Sequence, residues 1–105
     1  MQPYLLIQDL ARETPEIPGD SILSRTYFED DQMKAILFAF APGQELSEHT
    51  ASHPAILHFL RGEADLTLGG EDQKAGPGTW VHMQAGLTHS IRARTPVQML
   101  LLLFK

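Results

Sequence analysis

The chain contains no cysteine, which excludes disulfide bonds, thiolate metal ligands and a cysteine nucleophile. It also lacks a long hydrophobic run: the longest, residues 99–104, is far shorter than the roughly 20 residues that a membrane-spanning helix needs. The N-terminal residues show no basic segment followed by an apolar stretch, so they predict no signal peptide. These absences predict a cytoplasmic protein that does not associate with a membrane.

Positive charge is scarce as well. The eight lysine and arginine residues are outnumbered by thirteen aspartate and glutamate residues, which gives a net charge of −5. Domains that bind nucleic acid usually present a clustered positive surface, so we expect no nucleic-acid partner. The length of 105 residues predicts one domain, residues 1–105, with enough chain for a single core.

Glycine, proline and acidic turn residues divide the sequence into short segments, which favours strands over helices. The stretch around Asp30 and Asp31 predicts one hairpin turn, and Gly69–Gly70 predicts another. The only helical candidate is residues 7–13. Many short strands with such turns are typical of an all-β sandwich or barrel. The predicted strands are residues 21–28, 34–40, 56–60, 64–69, 79–83, 89–94 and 97–104.

The C-terminal strand is apolar at every position from residue 99 to residue 104. Alternate side chains of a strand point to opposite faces, so both faces of this strand need a cover. One face would meet the protein interior. The other face needs a second sheet or a second subunit, and we therefore expect a homodimer.

Two motifs resemble those of the cupin superfamily. In the first, Gly43 is followed by five residues and His49, and the motif closes at Gly62. In the second, Gly86 and His89 hold the expected spacing within "GPGTWVHMQAGLTHSIR". The resemblance spans most of the chain. Within the superfamily, the sequence is similar to small stand-alone cupins of unassigned activity. It implies a double-stranded β-helix, a jelly-roll-like barrel, with its core at about residues 21–104.

The resemblance also implies a metal site, because many cupins hold a divalent ion such as Mn, Fe, Ni or Zn, and some act as dioxygenases or isomerases. Of the usual four ligands, this sequence keeps His49 and His89. The second histidine position is Ala51, and the carboxylate position is Ala55. The motif proline is replaced by Gln84 and the motif asparagine by Ala93. Catalytic zinc sites usually have three protein ligands, so the ligand set formed by His49 and His89 is incomplete.

Other side chains offer replacement donors. His53 has the strand parity of His49, and Gln84, Glu48 or water would complete the set. Two hypotheses stay open from the sequence. One is a metal-assisted enzyme acting on a small molecule, with His49, His89, His53 and Gln84 as candidate ligands. The other is a metal-free module that binds a small ligand or has a regulatory role, with a degenerate metal site.

Two further histidines have roles that depend on the register of their strands. His58 has the opposite parity to Ala55, so it should point away from the interior. His82 lines the pocket together with Gln84 if Trp80 faces inward, and points away if Val81 and Met83 do. The sequence leaves this choice open.

Overall fold

A computed structural model describes residues 3–13, 17 and 19–105. Within them the chain forms nine strands and one short 3-10 helix, η1. The helix is Leu10–Glu13, inside the helical candidate at residues 7–13. The strands are β1 (Ile22–Glu29), β2 (Met33–Phe40), β3 (Glu45–His49), β4 (Ala55–Arg61), β5 (Ala64–Leu68), β6 (Glu71–Ala75), β7 (Trp80–Met83), β8 (His89–Ala93) and β9 (Val97–Phe104).

The strands build two antiparallel sheets. The five-stranded sheet has the order β1-β2-β9-β4-β7, and the four-stranded sheet has the order β3-β8-β5-β6. Neighbours in each sheet are mostly distant in sequence, as in a jelly roll. The all-β fold predicted from the sequence is confirmed. Strand pairing among the described residues runs within each sheet, so the barrel is built as a sandwich of two sheets.

The core lies between the two sheets. Alternation along β4 puts Ala55, Leu57 and Phe59 in the interior, each at most 2% exposed. Met99 of the central strand β9 pairs with Phe59 and is fully buried. The four-stranded sheet contributes Leu66 and other apolar side chains from its inner face, so the two sheets enclose one hydrophobic cluster. Its remaining buried members are Phe40, Ala64, Ala75, Met83, Ile91, Ala93 and Val97.

Both predicted hairpins are present. In the β1–β2 hairpin the Asp30 carboxylate accepts hydrogen bonds from the Gln32 and Met33 amides, at 2.8 and 2.9 Å. These two bonds lower the pKa of Asp30. In the β5–β6 hairpin Gly69 and Gly70 both have positive φ, 59° and 85°. Glycine adopts such angles without steric cost, which suits a tight two-residue turn.

The C-terminal strand has the two apolar faces that its sequence predicts. Leu101 and Leu103 pack against the core, while Leu100 and Leu102 lie on the outer face. Part of that outer face is covered by the N-terminal segment, because Gln98 Nε2 donates a 3.0 Å hydrogen bond to the Ala11 carbonyl. Within the described part of the chain, Leu100 and Leu102 stay partly exposed on this face. In this part of the chain no helix is long and apolar enough to cross a membrane.

Candidate functional site

Two histidines from neighbouring strands meet at the inner face of the four-stranded sheet. His49 ends β3 and His89 begins β8, and the two residues are direct cross-strand partners. Their ring centroids are 4.1 Å apart and the rings are tilted by 58°. His89 is buried, with 6% of its surface exposed, whereas His49 is exposed. The pair therefore extends from a buried ring to an exposed one.

A β-bulge makes this meeting possible. Leu46 of β3 pairs with Ile91 of β8 and faces the core. Regular alternation from Leu46 would turn Glu48 inward and His49 outward. The register instead shifts between Leu46 and His49, and the extra residue brings His49 opposite His89. Bulges commonly redirect a side chain in this way.

Each ring is held by the backbone of its own strand region. His49 Nδ1 lies 2.7 Å from the Ser47 carbonyl oxygen, and His89 Nδ1 lies 2.9 Å from the Leu87 carbonyl oxygen. A carbonyl oxygen only accepts hydrogen bonds, so each Nδ1 is the donor. Each neutral ring then carries its free lone pair on Nε2. Histidines that bind metals commonly donate their other N–H in this way.

The type of donor suits a transition metal, but the number of donors falls short. Imidazole nitrogen is a good ligand for Zn, Cu, Fe and Ni. Among the described residues, no group of three or more His, Cys, Asp or Glu side chains is placed to hold an ion. Ala51 and Ala55 supply no donor atom where the cupin resemblance expects one. The pair thus consists of two imidazoles, without a third His, Cys, Asp or Glu side chain placed beside them among the described residues.

The two additional candidate ligands, His53 and Gln84, are both exposed. His53 is exposed, in the turn between β3 and β4, and lines a separate cavity. Gln84 is exposed in the turn after β7. Metal ligation by His53 or Gln84 stays a prediction, which would require each side chain to approach the pair.

The orientation of the last two histidines is settled by the register of β4 and β7. Val81 packs against the core and Met83 is buried, so His82 and Trp80 point outward. His58 also points outward, as its parity predicts, and pairs with Trp80 on one side and Leu100 on the other. His58 and His82 therefore take no part in the interior pair.

The outer face of the four-stranded sheet carries a polar concavity of about 630 Å³. Among the charged residues that line it, Asp65 lies 2.6 Å from Lys74, and Arg94 outside the lining is 3.3 Å from the same carboxylate. The hydrogen bond from Lys74 lowers the pKa of Asp65, and Arg94 adds to the effect. These groups are partly exposed, so the concavity resembles a solvated charged face more than a ligand pocket.

The sequence and the fold identify the family. The model of the cupin domain family matches residues 36–104, which includes both motifs and both histidines of the pair. The chain belongs to the cupin family. A comparison with curated proteins gives no match.

Solved structures of similar proteins agree with this assignment. A conserved protein of unknown function from Streptococcus pyogenes, SPY1581, is 30% identical with a TM-score of 0.86, covering 97% of this chain and 89% of that one. A cupin superfamily protein from Desulfitobacterium hafniense is 25% identical with a TM-score of 0.86, covering 99% and 93%. TT1209 from Thermus thermophilus is 26% identical with a TM-score of 0.83, covering 93% and 95%. This chain is therefore a small cupin, and these three structures share its fold.

Proposed function

We propose that this protein binds a small molecule in the barrel interior at the His49–His89 pair, together with a weakly held divalent transition metal. One observation carries the proposal. The rings are 4.1 Å apart, and both Nδ1 atoms are engaged by backbone carbonyls. Two Nε2 lone pairs are therefore available at the opening of an apolar interior.

Each part of the pair has a distinct task. The buried ring of His89 fixes one nitrogen against the core, and the exposed ring of His49 presents the other near the entrance. Small-molecule pockets are mostly apolar with a few polar groups, and the buried side of the pair adjoins Ile91 of the core on β8. A divalent ion at the pair would supply Lewis acidity. Such a centre is compatible with a dioxygenase or isomerase-like activity, which remains a proposal about the class of reaction.

Nickel titration of untagged protein tests the metal. We expect Ni²⁺ binding in isothermal titration calorimetry, and at least about 100-fold weaker binding after His49→Ala or His89→Ala. Loss of a partner that only orients a ligand already weakens metal binding about 10–100-fold, and loss of a ligand should cost more. His58→Ala is the matched control, because His58 lies on the opposite face of the five-stranded sheet, and it should leave the affinity unchanged.

Two results would contradict this assignment. Equal loss of Ni²⁺ binding in all three variants would show that the pair is not the site. Unchanged binding after His89→Ala would show that the ion is held by exposed histidines. Because all five histidines are within the described residues, single alanine variants of His53 and His82 would then locate the ion.

A metal-free pocket is the second candidate, and the two alanines favour it. Ala55 is 2% exposed within the core, so the carboxylate position of the cupin motif has become part of the apolar packing. The two Nε2 atoms would then accept hydrogen bonds directly from a bound molecule. With no Ni²⁺ binding, phenol, which has one O–H donor on an apolar ring, should raise the Tm of the wild type by mass action. The increase should disappear in His89→Ala.

We also propose that two copies associate through the outer face of the five-stranded sheet. An outer strip there is formed by Ile56, His58, Trp80, Leu100 and Leu102, which are register neighbours on β4, β7 and β9. Trp80 is 58% exposed. A second apolar surface, Tyr4 to Leu6, is also exposed on the same chain. In a two-fold dimer, the outer strip of each copy would pack against the other copy, so that both strips would be covered.

Light scattering after size exclusion tests the dimer. The wild type should have twice the chain mass of 11.7 kDa, and Trp80→Glu should run as a monomer because it places a charge within the apolar contact. Gln73→Glu introduces the same charge on the edge strand of the other sheet and should remain dimeric. A monomeric wild type, or a dimeric Trp80→Glu, would reject this interface.

Two broader proposals concern the whole chain. We infer that the chain is a single domain with its barrel core at about residues 21–104. We also infer that the protein works in the cytoplasm, without a nucleic-acid or membrane partner. Neither is needed for the experiments on the histidine pair.

A further inference from the structure

A cavity separate from the histidine pair lies where β9 ends. Its volume is about 370 Å³, at the lower end of the range for small-molecule pockets. The connection between β3 and β4 forms one wall, and the ends of β2 and β9 form the other. Neither His49 nor His89 contributes to it. The lining residues are Lys34, Thr50, Ala51, Ser52, His53, Leu103, Phe104 and Lys105.

The lining combines positive charge with an apolar surface. Leu103 and Phe104 provide the apolar part, and the hydroxyls of Thr50 and Ser52 provide hydrogen-bond donors. Lys34 and Lys105 bring two ammonium groups, and none of the residues lining this cavity is acidic. Such a wall is unusual on a chain whose net charge is −5.

The two lysines differ in how their charges are balanced. Lys105 Nζ is 2.7 Å from Glu29 Oε2, and this hydrogen bond is the main cause of the lowered pKa of Glu29. Lys34 lies opposite Glu29 in the β1–β2 register and adds only a smaller Coulombic effect. Across the described residues, Lys34 forms no ion pair. The nearby Asp30 carboxylate is held by backbone amides of its own turn.

Lys34 is therefore a half-buried cation that lacks an ion-pair partner within the described part of the chain. It shares the inner side of the sheet with its register neighbour Leu103, beside the cavity. A partly desolvated ammonium group is stabilised when an anion approaches it. The cavity supplies room for that anion, and the apolar residues supply a surface for the body of the molecule that carries it.

We propose that this cavity binds a small carboxylate with an apolar body. Lys34 pairs with the carboxylate, Thr50 and Ser52 donate hydrogen bonds to it, and the apolar body rests on Leu103 and Phe104. The site uses residues outside the proposed histidine site, so the cavity is a second binding function of the same chain.

Benzoate is the probe, with benzamide as its uncharged analogue. At low ionic strength we expect benzoate to bind in calorimetry or saturation-transfer NMR at least about tenfold more tightly than benzamide, because the charge-assisted contact is lost in the amide. Lys34→Met should weaken benzoate binding at least about tenfold and leave benzamide unaffected. Lys34→Arg, which keeps the charge, should restore binding to within a few fold.

Three controls distinguish binding in this cavity from binding at other charged groups or at the histidine pair. Lys74→Met makes the same change of charge on the other sheet and should leave benzoate binding intact. His89→Ala should do so too, which makes the outcome independent of the histidine site. Inorganic phosphate should compete poorly, because it has no apolar body. Equal binding of benzoate and benzamide, unchanged benzoate binding in Lys34→Met, or full displacement by phosphate would each overturn the proposal. Thermal melting of each variant checks that it is folded.

Discussion

Gly62→Ala should lower the free energy of unfolding by about 2–5 kcal/mol, the sum of an unfavourable backbone conformation and a steric overlap. Gly62 has a φ of +87°, and a Cβ atom at this position would lie 2.0 Å from the Pro96 carbonyl oxygen. That oxygen belongs to the backbone leading into β9, so it has no rotamer by which to move away. Natural domains have about 5–15 kcal/mol of stability, so a large share would be lost.

The crossing at Gly62 explains why the overlap cannot relax locally. The next residue, Glu63, accepts a 2.8 Å hydrogen bond from the Arg94 amide through its carbonyl, and its own amide donates to Thr95 Oγ1 at 2.9 Å. The two connections, β4–β5 and β8–β9, are thus fastened together directly beside the glycine. Moving Pro96 away from a new methyl group would break these bonds.

Gly78→Ala is the matched control for the cost of placing an alanine at a positive φ. Gly78 has nearly the same φ, +89°, but nothing lies within 4 Å of a Cβ built there. It should cost only about 1–2 kcal/mol. Chemical denaturation of both variants gives the difference, which measures the overlap with Pro96. Equal destabilisation would show that the contact between the two connections is looser than described.

Phe59→Ala is the second variant with a large expected effect, a loss of about 3–5 kcal/mol. Phe59 is fully buried on β4 and is opposite the fully buried Met99. Its backbone also bonds to the turn before β7, through the Thr79 carbonyl and the Gly78 amide, both at 2.8 Å. Because the surrounding strands are fixed by their ladders, the cavity left by the ring cannot collapse fully.

Phe28→Ala removes the same ring from a place where it is 39% exposed. This variant should cost about 1 kcal/mol or less, as surface substitutions usually do. The comparison of urea midpoints at equal m-values isolates the effect of burial. A Phe59→Ala variant no less stable than Phe28→Ala would show that the two sheets repack around the missing ring.

The strands that the sequence predicted are those with a clear apolar face. Strands β3 and β6 were not predicted, because they carry mostly charged and polar side chains. In β6 only Ala75 is buried, because this strand is at the edge of its sheet, and Gln73 on its inner face stays exposed. Without an apolar alternation, such an edge strand has no signature in the composition. Its position is set by the glycine turn before it and by pairing with β5.

The candidate site was predictable in part. The cupin motifs indicated that His49 and His89 would be close, and the structure confirms their contact. Strand parity alone could not have shown it, because the bulge in β3 reverses the parity between Leu46 and His49. The backbone carbonyls that hold the two rings have no signature in the side-chain sequence. Parity likewise could not decide whether Trp80 or Val81 faced the core, which depends on the pairing of β7 with β4.

The hydrogen bonds from the two imidazoles to carbonyls two residues earlier have a consequence for the kinetics of capture. Both anchors are main-chain atoms, so neither ring needs a neighbouring side chain to settle before it becomes competent. The two imidazole rings therefore lose little side-chain torsional freedom when a metal ion or a small molecule binds. If the pair binds as proposed, the association rate should be limited by access past the exposed ring of His49, and substitutions around the pair should change the dissociation rate more than the association rate.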